Sequence, residues 1–209
     1  MSTLEKIAFF QNRRDEIPNQ ELARELALSK DSQGIQEIAD NLTNKNKDIQ
    51  ADCLKVLYEI GFLQPELVAR YAKDFLKLLK SKNNRLVWGA MIALSTIAAI
   101  NPQEIGEAVD QIEQTMVKGS VITVDNGVKI LADLAAQPTE QSKAIFAYLL
   151  NHLSTCRPKE IPQHAEKTLA AVNAANKKEF IAVLEKRMDL MTAAQMTRIK
   201  KVIKAAEKR

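Results

Sequence analysis

The 209 residues are 46% hydrophobic and 27% charged, with a net charge of +4. Such a chain can bury a core and keep a solvated surface, which excludes an intrinsically disordered segment. Six glycines, three tyrosines and a prevalence of Ala, Leu, Lys, Glu and Gln favour helices over strands, so an all-α fold is expected.

The N-terminal stretch MSTLEKIAFFQNRRDE carries acids and an arginine pair where a secretory leader needs a basic start and an apolar run. Residues 3–31 are expected to hold two short helices broken at EIPNQ, and 1–31 to form an N-terminal cap. The longest nearly apolar run, Leu86 to Ile100, is shorter than the ~20 residues that cross a bilayer. Cys53 and Cys156 form no CxxC pair and suggest no disulfide framework. A soluble cytoplasmic protein is expected.

From residue 35 the sequence repeats. Leu57, Leu94 and Leu131 are 37 apart, and Leu169 follows after 38; Pro65 and Pro102 are 37 apart, and Pro138 follows after 36. The units end in VLYEIGFLQPELV, ALSTIAAINPQEI, ILADLAAQPTEQS and TLAAVNAANKKEF. Each reads as a first helix (A), a polar loop, a second helix (B) and a proline that opens the next helix. In NPQE, Asn101 is expected as N-cap, Pro102 at the first helical position and Glu104 in the first turn. Aligned B helices give a column of Ile49, Leu86, Thr123 and Ile161, and a small-residue column of Cys53, Ala90, Gly127 and Ala165. The second suits close helix approach and makes Cys53 a buried thiol.

Residues 177–209 read as a C-terminal cap, a last helix pair that restarts at TAAQ with Thr192 and Gln195 as a capping box. Its final helix holds Arg198, Lys200, Lys201, Lys204, Lys208 and Arg209 against one acid, Glu207, with Met196, Ile199, Val202 and Ile203 as a docking stripe.

Helix pairs of this length, carried by NKDIQADCLKVLYEIG and NNRLVWGAMIALSTIA, resemble HEAT repeats and, more loosely, armadillo repeats. The resemblance covers four units over residues 35–180. It implies a right-handed α-α superhelix in one domain, with the B helices lining a concave surface.

No P-loop, GxGxxG, HExxH or GxSxG motif occurs, no pair of carboxylates stands out, and no catalysis or cofactor is expected. His152, Cys156 and His164 offer three zinc donors, but a structural site wants four. No metal is therefore expected, and the histidines read as surface residues.

The loops between A and B helices all carry cations: Lys45 and Lys47; Lys80, Lys82 and Arg85; Lys118; Arg157 and Lys159. The loops between repeats carry Glu66, Glu104 and Glu140. One edge should be basic and the other acidic. Helix dipoles explain the glutamates, but Lys47, Arg85 and Lys159 stand at helix starts, where the dipole disfavours them.

The single tryptophan, Trp88, falls in a B-helix column with Ala51, Asp125 and Gln163; one turn on, Ile92 aligns with Lys55, Lys129 and Lys167. Two readings stand. Trp88 and Ile92 form an apolar spot in the groove, flanked by Lys55, Asp125, Lys129 and Lys167, or Trp88 packs on a neighbouring repeat. The expected function is a non-catalytic scaffold that binds a protein through its B-helix groove, its basic loop edge, or both. The alternative is nucleic-acid binding. It includes kinship with HEAT-like DNA glycosylases that excise alkylated bases, which the chain resembles in part only: Ile92 stands where an acid would be wanted, and no second tryptophan is present.

Overall fold

The structure is a computed structural model that describes residues 2–209. Among these the regular structure is helical, with no strand. The α-helices are α1 (Ile17–Ser29), α2 (Ser32–Asp40), α3 (Lys47–Leu63), α4 (Ala72–Leu78), α5 (Asn84–Ile97), α6 (Pro102–Gly106), α7 (Val109–Val117), α8 (Val121–Ala135), α9 (Ser142–Thr155), α10 (Ile161–Thr168), α11 (Lys177–Glu185) and α12 (Ala193–Glu207). The chain divides into two compact units, one up to Asn126 and one from Gly127, with the division inside α8.

In the first unit α3 and α5 are the B helices of successive pairs, packed on α2 and α4 respectively and on each other. Asn46 and Asn83 cap them: the Asn46 side chain accepts the Asp48 N–H at 2.9 Å, and Asn83 accepts the Arg85 N–H at 3.0 Å. Ser120 takes the same place before α8, its hydroxyl oxygen 3.3 Å from the Thr123 N–H. Each cap satisfies a backbone donor that a helix start leaves orphaned. Small residues let the helices approach. A Cβ on Gly61 would come within 2.9 Å of Thr96 Cβ, and one on Gly89 within 2.7 Å of Leu54 Cδ2. Cys53, Ala90, Gly127 and Ala165 of the expected small column are all buried.

The N-terminal segment differs from expectation. Residues 4–6 form only a 3-10 turn, and the one α-helix before residue 31 is α1, begun with Pro18 in its first turn. That helix packs on α3, the first B helix. Buried Ile7 and Ala8 complete the segment. The Asn19 side chain accepts the Ala8 N–H, and Asp52 of α3 accepts the Phe9 N–H, both at 2.9 Å.

Two helix starts also differ. Asn101 makes no side-chain cap; its amide donates instead to Ala69 O at 3.2 Å and Glu104 Oε2 at 2.9 Å, which ties the loop to the preceding repeat. Pro138 lies in a turn, and the next helix starts later, at Ser142.

In the second unit α9 packs on α10 and α11, and α12 packs on α10 and α11. Leu149, Leu153, Ile161, Phe180, Leu184 and Ile199 fill its core, each such side chain contributing ~1.5–3 kcal/mol of burial. The capping box of α12 forms as expected: Gln195 Oε1 accepts the Thr192 N–H at 2.8 Å, and Thr192 Oγ1 accepts the Gln195 N–H at 3.4 Å. The α12 stripe docks through Ile199 and Val202, leaving Lys200, Lys201 and Lys204 exposed.

Candidate functional site

The first unit holds most of the candidate surface. Trp88 and Ile92 are both half-buried on α5, between the two readings of the sequence. Their counterparts on α3 are covered: Ala51 and Lys55 are buried. The Lys55 ammonium lies 2.8 Å from Glu16 Oε2 and 2.6 Å from Glu59 Oε1, and 4.8 Å from the centre of the Tyr58 ring. Burial pulls the Lys55 pKa down, but the bonds to Glu16 and Glu59 outweigh it and hold the group above its ordinary value. Lys55 is therefore corrected from an open groove cation to an internal ion-pair partner. The cause is Glu16, which lies in the N-terminal segment and not in the repeat pattern. Glu16, Ala51, Leu54, Lys55, Tyr58 and Arg85 meet Trp88 around a crevice of only ≈ 10 Å³, about the size that admits a single water.

Arg85 is exposed, 3.9 Å from Asp52, and borders both that crevice and a larger pocket of ≈ 460 Å³. The larger pocket mixes Arg13, Arg14 and Arg85 with Asp15, Glu16, Asp48 and Asp52. Burial raises the Asp52 carboxyl above its ordinary value, opposed by the Phe9 N–H, Asn19 and Arg85. Asp125 is half-buried and already engaged within the chain.

The loop edge is where the structure brings sequence candidates together. Lys80, Lys82 and Lys118 belong to two successive A–B loops and line one pocket of ≈ 390 Å³. Leu79 and Val87 supply its apolar part, and Gln111, Gln114 and Thr115 of α7 supply neutral polar groups. Gln111 is held in place by donating to Leu76 O at 2.8 Å. All three lysines are exposed, as are Lys45 and Lys47 in the loop before α3. On the opposite loops Glu104 pairs with Lys73 at 3.5 Å, while Glu66 and Glu140 are exposed.

In the second unit Lys129 pairs with Asp133 one turn along α8, and Lys167 is half-buried and engaged within the chain. Arg157 is exposed but paired with Glu160, and Lys159 is exposed. His164 is fully buried, which corrects its reading as a surface residue; His152 is half-buried. Burial, and then His164, pushes the His152 imidazole down to about 4, against the pull of Glu160. Burial lifts the Cys156 thiol to about 11, and that of Cys53, as buried as the sequence implied, to about 12. Among the described residues no helix is long and apolar enough to cross a membrane.

The caps are what sequence reasoning missed. Asn46, Asn83 and Ser120 are themselves 37 apart, so the period that marks the leucines also marks the start of each B helix.

No family model and no curated protein matches the chain. Solved structures do. A designed armadillo repeat protein in complex with the peptide (KR)4 superposes with a TM-score of 0.67 at 15% identity, covering 98% of each chain. Computationally designed armadillo repeat proteins for modular peptide recognition give 0.66 at 16%, over 97% of this chain and 98% of theirs. An engineered protein gives 0.64 at 20%, over 100% and 98%. The chain has the armadillo- and HEAT-like α-solenoid fold.

Proposed function

We propose that the chain is a non-catalytic scaffold that binds an acidic segment of a protein partner along its basic A–B loop edge. The observation that carries this is the meeting of Lys80, Lys82 and Lys118, from two loops 37 residues apart in repeat register, around one ≈ 390 Å³ pocket. Three ammonium groups beside Gln111, Gln114 and Thr115 suit carboxylates flanked by backbone donors and acceptors, and Leu79 and Val87 suit a small apolar side chain between them. Lys45 and Lys47 continue the same loop register toward the N-terminus. The half-buried pair Trp88 and Ile92, with Arg85, is proposed as a second contact on the B helices, with Asp125 on its polar flank.

The fold supports this reading. Structurally similar designed proteins are described as recognising peptides, one of them the basic peptide (KR)4. The sign is reversed here, because the cations belong to the scaffold, so the partner segment should be acidic.

The test is binding of a fluorescent Asp/Glu-rich peptide library to the wild type and to Lys80→Glu/Lys82→Glu/Lys118→Glu. Loss of at least about tenfold in affinity supports the site, since three charge contacts are reversed. Equal binding by both proteins rejects it. Capture of nucleic acid instead, with affinity falling steeply with salt, would transfer the edge to the alternative reading.

A further inference from the structure

We propose that His152, Cys156 and His164 form a binding site for a borderline-soft transition-metal ion, zinc foremost, with one coordination position left open. His152 lies in the last turn of α9, Cys156 just after it, and His164 on α10. Their donor atoms all lie within 4.8 Å of one another, and His152 Nε2 is 3.0 Å from His164 Nδ1. A tetrahedral zinc ion holds nitrogen and sulfur donors at about 2.0–2.3 Å, which sets them about 3.3–3.6 Å apart. The two imidazoles therefore need to part by only a few tenths of an ångström, and the thiol to swing inward.

The surroundings favour this over three unrelated side chains. The imidazoles lie tilted by 44° with centres 4.9 Å apart, and two of their ring nitrogens meet. The Cys156 sulfur has only a long contact to Leu153 O, at 3.9 Å, so little holds it away from an ion. The backbone around it is fixed instead. Arg187 donates to the carbonyls of Ser154 and Cys156, the second at 2.6 Å, which holds the end of α9. Glu160 lies close enough to act electrostatically on both histidines and the thiol. It can balance the charge of a bound ion. A two-nitrogen, one-sulfur set selects zinc, cobalt or copper over magnesium or calcium. On binding, the Cys156 S–H bond breaks, its proton passes to solvent, and the sulfur lone pair bonds the ion.

The three positions escape any short metal motif because the donors straddle a loop: the second histidine is eight residues beyond the cysteine and on another helix.

Cobalt(II) is the probe. Tag-free, metal-stripped full-length protein should bind one equivalent and develop a thiolate-to-cobalt charge-transfer band with the intense visible absorption of a tetrahedral site; zinc should erase both. Cys156→Ser should abolish the charge-transfer band and weaken binding more than about 100-fold, beyond what loss of an outer-shell partner costs. His152→Gln, at a half-buried position, should weaken binding while helical circular dichroism stays intact. Cys53→Ala should leave the band unchanged. No band in the wild type, or a band that survives Cys156→Ser, overturns the proposal. Binding of acidic peptides to the loop edge is independent of either result.

Discussion

The ammonium of Lys55 sits 2.8 Å from the Glu16 carboxylate, and this bond joins the N-terminal segment to the first B helix of the repeats. With its side chain only 9% exposed, Lys55 is the buried end of a pair whose partners, Glu16 at 44% and Glu59 at 24%, remain in reach of water. Lys55→Met keeps the apolar stem and removes the charge. The carboxylates can re-solvate, so the cost is expected at ~1–3 kcal/mol, or roughly 2–4 °C of melting temperature per kcal/mol. The sign with pH comes from the raised folded pKa of Lys55. Its contribution is fully present below the ordinary value of 10.5 and fades only as pH rises through the folded value above that. Wild type and variant should thus differ by a constant amount between pH 6 and pH 9. A gap that closes within this range would contradict the assignment.

Trp88 is half-buried over Ala51, Leu54 and Tyr58. Complete burial would make Trp88→Ala cost ~3–5 kcal/mol, and a free surface position would keep it within about 0.5 kcal/mol. The expected value lies between, ~1–3 kcal/mol in urea unfolding, with acrylamide quenching of the indole that is partial. Full quenching with no loss of stability would move Trp88 onto an open surface. Strong shielding with a collapse of stability would move it into the core.

The close contact of α3 with α5 rests on Gly61. An added Cβ would stand 2.9 Å from Thr96 Cβ, and Thr96 is not free to turn away, because its hydroxyl donates to Ala93 O at 2.7 Å. In an open helix Gly→Ala stabilises by up to ~1 kcal/mol through propensity. Overpacking here should reverse that and cost ~1–3 kcal/mol net. Chemical denaturation of Gly61→Ala measures it, and a stabilised variant would show that the two helices can part at little cost. Gly61→Ala/Thr96→Ala removes the Thr96 hydroxyl, the atom nearest the added Cβ, and should recover part of the loss.

The repeat was legible because burial demands it. Leu57, Leu94 and Leu131 recur at 37 residues, and all three are fully buried. The capping box at Thr192 and Gln195 was legible because its two hydrogen bonds need only local chain geometry. Lys55 was not, because its environment is set by Glu16, 39 residues earlier and outside the repeat pattern. Asn101 failed as a cap for a related reason. The residue type fits the local rule, but Ala69 O, 32 residues back, competes for its side chain. The burial of His164 lay hidden because a lone histidine gives no periodic signal. Of the binding candidates, the loop lysines kept their exposure: among the described residues, the pocket that Lys80, Lys82 and Lys118 share is lined by no acid.

Asp133 gives a pH-dependent test. It is buried on α8 and bonded to Lys129. Burial raises its carboxyl above the ordinary value of 3.8, and Lys129 only partly offsets this. The folded state therefore holds the Asp133 proton more tightly than the unfolded chain does. By linkage, the folded state loses stability as pH rises from about 3.8 through the folded pKa, and the loss is complete above it. Asp133→Asn has no such proton to lose. Its stability relative to wild type should rise with pH across this window and then level off, since the asparagine keeps the shape and can still accept from Lys129. Thermal melts of both proteins from pH 4 to pH 7 supply the difference curve, in which titrations shared by the two chains cancel. A difference that falls with pH would mean that the Lys129 ion pair outweighs burial, and that Asp133 is held below its ordinary value.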